Sequence, residues 1–185
     1  MALIPFADDP KNNPSQSLLD ALKRAPITLN VTRMIANSQK AQKAMAGFGE
    51  MIMRGDLDPK LRELAILRTA KAAGSNYEWL HHVVVGKGVG VTQEQIDSIE
   101  NPGAKCFDET EGLIVRLAGE MAKNVKGSRE AVVALNKKLG PSVLVELIMV
   151  CGFYGGLARL LESTEVEPDD FAGKVDVFKA SQRTG

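Results

Sequence analysis

Apolar residues along this chain recur at intervals of three and four and almost never alternate, so the pattern predicts helices and no sheet. Prolines, glycines and capping residues cut that pattern into eight or so helical lengths. Pro14 opens a first helix ending near Arg24. Pro26 starts a longer one through Met34, Ala41 and Met45, which fades at Gly47 and Gly49 or restarts as far as Arg54. Asp58-Pro59 supplies an N-cap and an N1 proline for a helix from Leu61 to about Ala73, and Gly74 terminates it.

The next segments carry reciprocal capping signals. Ser75 and Glu78 match a capping box at the head of a helix running to Gly86; Thr92 to Gln95 repeats the device for a short helix to Glu100, closed before Pro102. Asp108 with Glu111 opens a helix through Leu113, Leu117 and Met121, and Ser128 caps another reaching Leu139. Gly140-Pro141 reads as a stop followed by a start. From Ser142 to Leu161 the chain is almost entirely apolar, the pattern of a central helix with neighbours on every side. Gly152, Gly155 and Gly156 within it each cost about 1 kcal/mol against alanine, which predicts close helix packing there. A weak echo of Glu63-Leu64-Ala65-Ile66-Leu67 in Glu146-Leu147-Ile148-Met149-Val150 hints at duplication. The expectation is one all-α domain of two related helical halves, with an N-terminal arm over about 1–13 and a C-terminal arm over about 168–185.

Composition narrows the partners. With 185 residues and 44% hydrophobic content the chain can bury a full core. Lys+Arg and Asp+Glu both number 23 and are interspersed, so no basic face offers itself to nucleic acid or anionic lipid. No apolar run approaches the roughly 18 residues of a membrane span, and Met1 to Pro10 lacks the charged start and apolar stretch of a signal peptide. The cytoplasm is therefore expected. Cys106 and Cys151 lie in separate segments without a vicinal partner, which favours structural thiols over a redox pair.

Three residues stand out chemically. Glu63 falls on the helical wheel between Ile66, Leu67 and Ala70, inside an apolar stripe and away from Arg62, Arg68 and Lys71. A carboxylate there must find partners or bind a proton, so a hydrogen-bonded histidine is its natural neighbour. A purely structural ion pair with an arginine is the competing reading. Glu78 and His82, four residues apart, meet on one helix face, where the carboxylate can orient the imidazole and raise its proton affinity, as general acid–base catalysis requires. Against that, Glu78 can be a cap and His82 a satisfied core histidine. His81 is expected to stack or pack near Tyr77, and Trp79 to anchor a core or subunit contact. The two adjacent histidines point about 100° apart, which argues against a metal site. No phosphate loop or nucleophile elbow occurs, so no cofactor is expected.

The stretch from Leu57 to Ile99, with Arg62-Glu63-Leu64, Tyr77-Glu78-Trp79, His82 and the Gly90-Val91-Thr92 cap, resembles the core motif of the carboxymuconolactone decarboxylase and alkylhydroperoxidase-D superfamily. Ile4-Pro5-Phe6, Leu144 to Leu147, Gly152 and Tyr154 extend the resemblance over most of the chain. It implies the alkylhydroperoxidase-D-like helical bundle and a homo-oligomer, trimer or hexamer, whose contacts use apolar surface on the Leu61 to Ala73 helix. In the peroxidase branch of that superfamily two cysteines stand where this chain has Ser75 and Glu78, between a glutamate and a histidine matching Glu63 and His82. Without those thiols the thiol-dependent peroxidase reaction is rejected. The decarboxylase branch, which also lacks the pair, is the closer analogue. It implies a cofactor-independent lyase or isomerase acting on a small carboxylated lactone or enolisable acid. His82 would reprotonate the carbon framework, Glu78 orient it, and Glu63 serve as proton reservoir or second base. Arg62 or Arg68, with Tyr77, would bind the substrate. The alternative is a non-catalytic small-molecule-binding or assembly protein of the same fold.

Overall fold

The structure, a computed structural model, describes residues 2–24 and 28–169. A single 3-10 turn, Pro10–Asn12, precedes eight helices among these residues, and they contain no strand. The helices are α1 Gln16–Arg24, α2 Asn30–Ile35, α3 Gln39–Arg54, α4 Pro59–Ala73, α5 Asn76–Gly88, α6 Gln93–Asp97, α7 Glu109–Lys123 and α8 Arg129–Ser163.

Local capping chemistry explains most of the boundaries. The Asp58 carboxylate accepts from the N–H groups of Lys60 and Leu61, Pro59 occupies the first turn, and Gly74 ends α4 in the left-handed region at φ 71°. Thr92 with Gln95, and Asp108 with Glu111, form complete capping boxes for α6 and α7. Three expectations need correction. The long helix anticipated between Pro26 and Arg54 is two, because the chain turns at residues 36–38 and the Ser38 hydroxyl caps α3 by accepting from Ala41 N–H; Pro26 itself lies outside the described residues. Gly47 and Gly49 sit inside α3 without ending it. Ser128 does not cap α8 with its side chain; instead its N–H donates to Glu120 Oε2 at 2.6 Å.

The central helix is α4, not the apolar run of α8. It packs against α5, α7 and α8, and all nine residues from Arg62 to Ala70 are buried. One core cluster joins Ala65 and Ile66 to Ile114 and Leu117 of α7 and to Leu147 and Val150 of α8. A second joins Leu64 and Leu67 to Val91, Ile96 and Val115. Fully burying such side chains contributes about 1.5–3 kcal/mol each, so α4 is held from every side by apolar transfer. The cost is that its arginines are buried too.

Helix α8 is kinked at Gly140, whose φ of 79° and ψ of 166° are open to glycine and strained for other residues, and Pro141 follows without an N–H to continue the ladder. By length and composition α8 could cross a membrane, contrary to the expectation that no stretch approaches that size. Glu146 and Arg159 interrupt its apolar sequence, and its buried face packs on α4 and α7 as a core helix does. Its other face is open: Val145 is 59% exposed and Met149 41% exposed. Glu146, the counterpart of Glu63 in the internal echo, accepts from Leu57 N–H at 3.0 Å and ties the α3–α4 loop to α8. The two ends of the described chain meet, with Leu3 N–H donating to Thr164 O at 2.9 Å and the Asp169 carboxylate accepting from Asn30 N–H at 3.1 Å.

Candidate active site

The corner between α4 and α5 frees a carboxylate for chemistry. Gly74 in its left-handed conformation lets Ser75 N–H reach back to Ala70 O at 3.0 Å, closing the end of α4. The Ser75 hydroxyl then accepts from Glu78 N–H at 3.4 Å and caps α5. Because Ser75 N–H is already engaged, the reciprocal half of the expected capping box does not form. The Glu78 side chain turns along the helix face to His82 instead.

His82 stands between two carboxylates from different helices. Its Nδ1 lies 2.7 Å from Glu63 Oε2 on α4, and its Nε2 lies 3.3 Å from Glu78 Oε2 one turn back on α5. Glu63 and Glu78 are 2% and 3% exposed, so neither has water as its principal partner. Arg62 Nε donates to Glu63 Oε1 at 3.3 Å while its Nη1 donates to the Ile52 carbonyl at 2.8 Å. The edge of the Tyr154 ring closes the cluster, with centroids 4.8 Å from the imidazole.

This geometry fixes a protonation state. A carboxylate at each ring nitrogen is satisfied only if both nitrogens carry a proton. Burial by itself pushes the imidazole down, but the charges and hydrogen bonds of Glu63 and Glu78 outweigh it and push His82 up to about 10. At neutral pH it is an imidazolium. Glu78 Oε1 is buried with no hydrogen-bond partner, an acceptor left open inside the cluster. Tyr154 is held well above its usual value, first by burial and then by the charges of Glu63 and Glu78, so its phenol keeps its proton.

Glu63, Glu78, His82 and Arg62 are thus brought together; Arg68 and Tyr77 are not. Five residues beyond Glu63, Arg68 is rotated about 140° around α4, where its Nη1 lies 3.8 Å from Glu100 Oε1. The Tyr77 hydroxyl donates to Asp169 Oδ2 at 2.6 Å and accepts from Val31 N–H at 3.1 Å, which ties α2, α5 and the 167–169 segment together. Burial, and then Asp169, push that phenol far up. His81 packs against Tyr77 as expected, with ring centroids 4.0 Å apart and planes tilted by 47°, and its Nε2 accepts from Asp169 N–H at 3.2 Å. Trp79 packs beside the Leu64 cluster, with Lys71 Nζ 5.0 Å from its ring.

Tyr154 was not among the residues singled out for the site. The signal available for it was its standing as the lone phenol in the apolar run of α8. Among the described residues no group of three or more His, Cys, Asp or Glu side chains is arranged to hold a metal ion. Cys151 is buried and pushed up to about 12 by that burial, so at neutral pH it is a thiol and a poor nucleophile.

An all-helical chain with this arrangement has the alkylhydroperoxidase-D-like fold. Residues 39–104 match the Carboxymuconolactone decarboxylase family. Among solved structures it is similar to the alkylhydroperoxidase AhpD core of an uncharacterized peroxidase-related protein from Ralstonia eutropha JMP134, with a TM-score of 0.72 and 16% identity over 99% of this chain and 97% of that one. An uncharacterized peroxidase-related protein from Silicibacter sp. TM1040 gives a TM-score of 0.70 and 13% identity over 91% and 89% of the two chains. A cysteine-to-alanine variant of the debrominase Bmp8, in complex with 2,3,4-tribromopyrrole, gives a TM-score of 0.70 and 13% identity over 98% and 96%. No curated protein matches the sequence.

Proposed function

We propose that Glu63, His82 and Glu78 form a cofactor-independent acid–base centre that acts on a small carboxylated lactone or enolisable acid. The observation that carries this reading is an imidazolium clamped between two buried carboxylates, one of which keeps an open acceptor oxygen. A clamp that served stability alone would have no use for that orphan oxygen. The distances also redistribute the roles anticipated from sequence. Glu63 makes the shorter contact and is itself held by Arg62, so it orients the imidazole; Glu78, more loosely engaged, is the proton acceptor. Arg62 donates through Nε to Glu63 and through Nη1 to the Ile52 carbonyl, so it positions Glu63, and the cation we assign to a substrate carboxylate is His82.

In the decarboxylation, the bond between the ring framework and the carboxyl carbon breaks and its electron pair delocalises toward the lactone carbonyl. His82 then delivers a proton to the framework carbon, and solvent restores that proton by way of Glu78. The test is incubation of the protein with a series of lactone carboxylic acids in D2O, followed by NMR. Carbon dioxide release with deuterium entering one framework carbon faster than in buffer is the expected result. Saturable binding of these acids without release or exchange would instead establish the non-catalytic reading. One observation favours that second reading: both His82 nitrogens are engaged and its side chain is 13% exposed, so the cluster must open to admit a substrate. A protein of the same fold, described as a debrominase in complex with a tribrominated pyrrole, supports a small cyclic ligand.

We also propose that the protein self-associates as a trimer or hexamer, through α8 and not through the buried α4. Val145, Met149, Gly152, Gly156 and Leu160 follow a spacing of three to four along one open face, and a Cβ at either glycine would meet nothing within 4 Å. Sedimentation of the double variant Val145→Glu, Met149→Glu is expected to show monomer where the parent shows the oligomer. A variant that sediments like the parent assembly removes α8 from the interface.

A further inference from the structure

On the far side of α4 from His82, Arg68 occupies a position that its charge does not explain. It is 6% exposed, and its Nε and Nη1 are buried without a hydrogen-bond partner. The carboxylate nearest to it, Glu100, lies 3.8 Å from Nη1 on a side chain 62% exposed to solvent, which is beyond hydrogen-bond reach and screened. Gly119 of α7 makes the room: a Cβ there would fall 2.5 Å from Arg68 Nε. The guanidinium therefore lies in a notch cut into α7, and the helix offers it no acceptor.

Arg68 lines a cavity of about 190 Å³. Pro102 and Val115 give the cavity apolar walls, and Arg116 and Lys123 line it as further cations. Glu120 also faces it, but its carboxylate accepts from Arg116 Nε at 2.7 Å and from Ser128 N–H at 2.6 Å. Arg116 is paired with Glu120 and also feels the charge of Glu130, which leaves Arg68 as the lining cation whose Nε and Nη1 have no acceptor. A buried cation with idle donors in a lined cavity lacks an anion.

We propose that this is a second binding site, separate from the Glu63, His82 and Glu78 centre, which takes the carboxylate of a small organic acid on Arg68. The volume is too small for a nucleotide, and the apolar walls suit a short hydrocarbon body behind one carboxylate. A doubly charged phosphate would crowd Glu100 and Glu120, which a monocarboxylate tolerates.

The probe is n-butyrate, titrated at constant ionic strength while the Arg68 Nε–Hε resonance of the full chain is followed by NMR. A saturable displacement of that resonance in the millimolar range is expected, with inorganic phosphate and chloride producing none. The site-resolved signal keeps this result apart from any binding at His82. Arg68→Lys, which keeps the charge and loses the planar fork, is expected to weaken butyrate at least tenfold, read at the Gly119 and Lys123 amides. If Arg68→Lys does not fold, Gly119→Ala, whose methyl displaces the guanidinium, is expected to weaken it as much. An Arg68 resonance unmoved by butyrate, equal movement by chloride or phosphate, or undiminished affinity in the folded variant overturns the proposal.

Discussion

Glu63→Ala is expected to lower the unfolding free energy by about 3–5 kcal/mol at pH 6, the range found when one partner of a buried ion pair is removed. The loss has three sources. Arg62 Nε keeps its buried position and loses its carboxylate, His82 Nδ1 loses a partner at 2.7 Å, and a cavity opens in a helix that is buried on every side. The pH dependence has a definite sign. The folded His82 is raised from its ordinary 6.5 to about 10, so its contribution is fully present below 6.5 and is lost as pH rises through 10. Urea unfolding should therefore show the gap between parent and variant narrowing across that window. An NMR titration should show His82 in Glu63→Ala well below about 10, because Glu63 supplies the largest upward push. An imidazole that still titrates near 10 in the variant would mean that Glu63 does not hold the proton.

The second large effect is on turnover. His82→Asn keeps a polar side chain of similar reach but cannot carry a proton between substrate and solvent. It is expected to lower kcat/KM for any lactone acid the parent converts by about 10²- to 10⁴-fold, the usual contribution of a positioned acid or base. The parent's own rate should fall as pH rises through the His82 transition, since the protonated form is the donor. Glu78→Gln, which lacks the acceptor charge but retains a hydrogen-bonding oxygen, should lower the pH of that fall. A variant that retains the parent rate, or a parent profile flat from pH 7 to 11, would take His82 out of the chemistry.

The difference between Arg62 and Arg68 shows how far sequence patterns reach. Both stand where a helical wheel places a solvated face, yet both are buried, because α4 has neighbours on all sides. A wheel reports which residues share a face and says nothing of how many faces are covered. The same limit explains why the apolar run of α8 suggested a central helix, while Val145 and Met149 in fact lie open. It also explains Glu78: its position three residues after Ser75 matches a capping box, but Ala70 O had already taken the N–H that the box would use.

Within those limits the order of residues was enough for the helical class, the caps at Asp58, Thr92 and Asp108, the stop at Gly74, the break at Gly140 and the burial of Glu63. Each of these follows from interactions within a few residues or from one helical period. Packing alone settled that Glu63 reaches across to His82, that Arg62 backs Glu63 while Arg68 turns to its own cavity, and that Tyr154 closes the cluster. Those partners come from separate helices, and which carboxylate meets which cation depends on how the helices assemble around α4, a long-range outcome that no local spacing encodes.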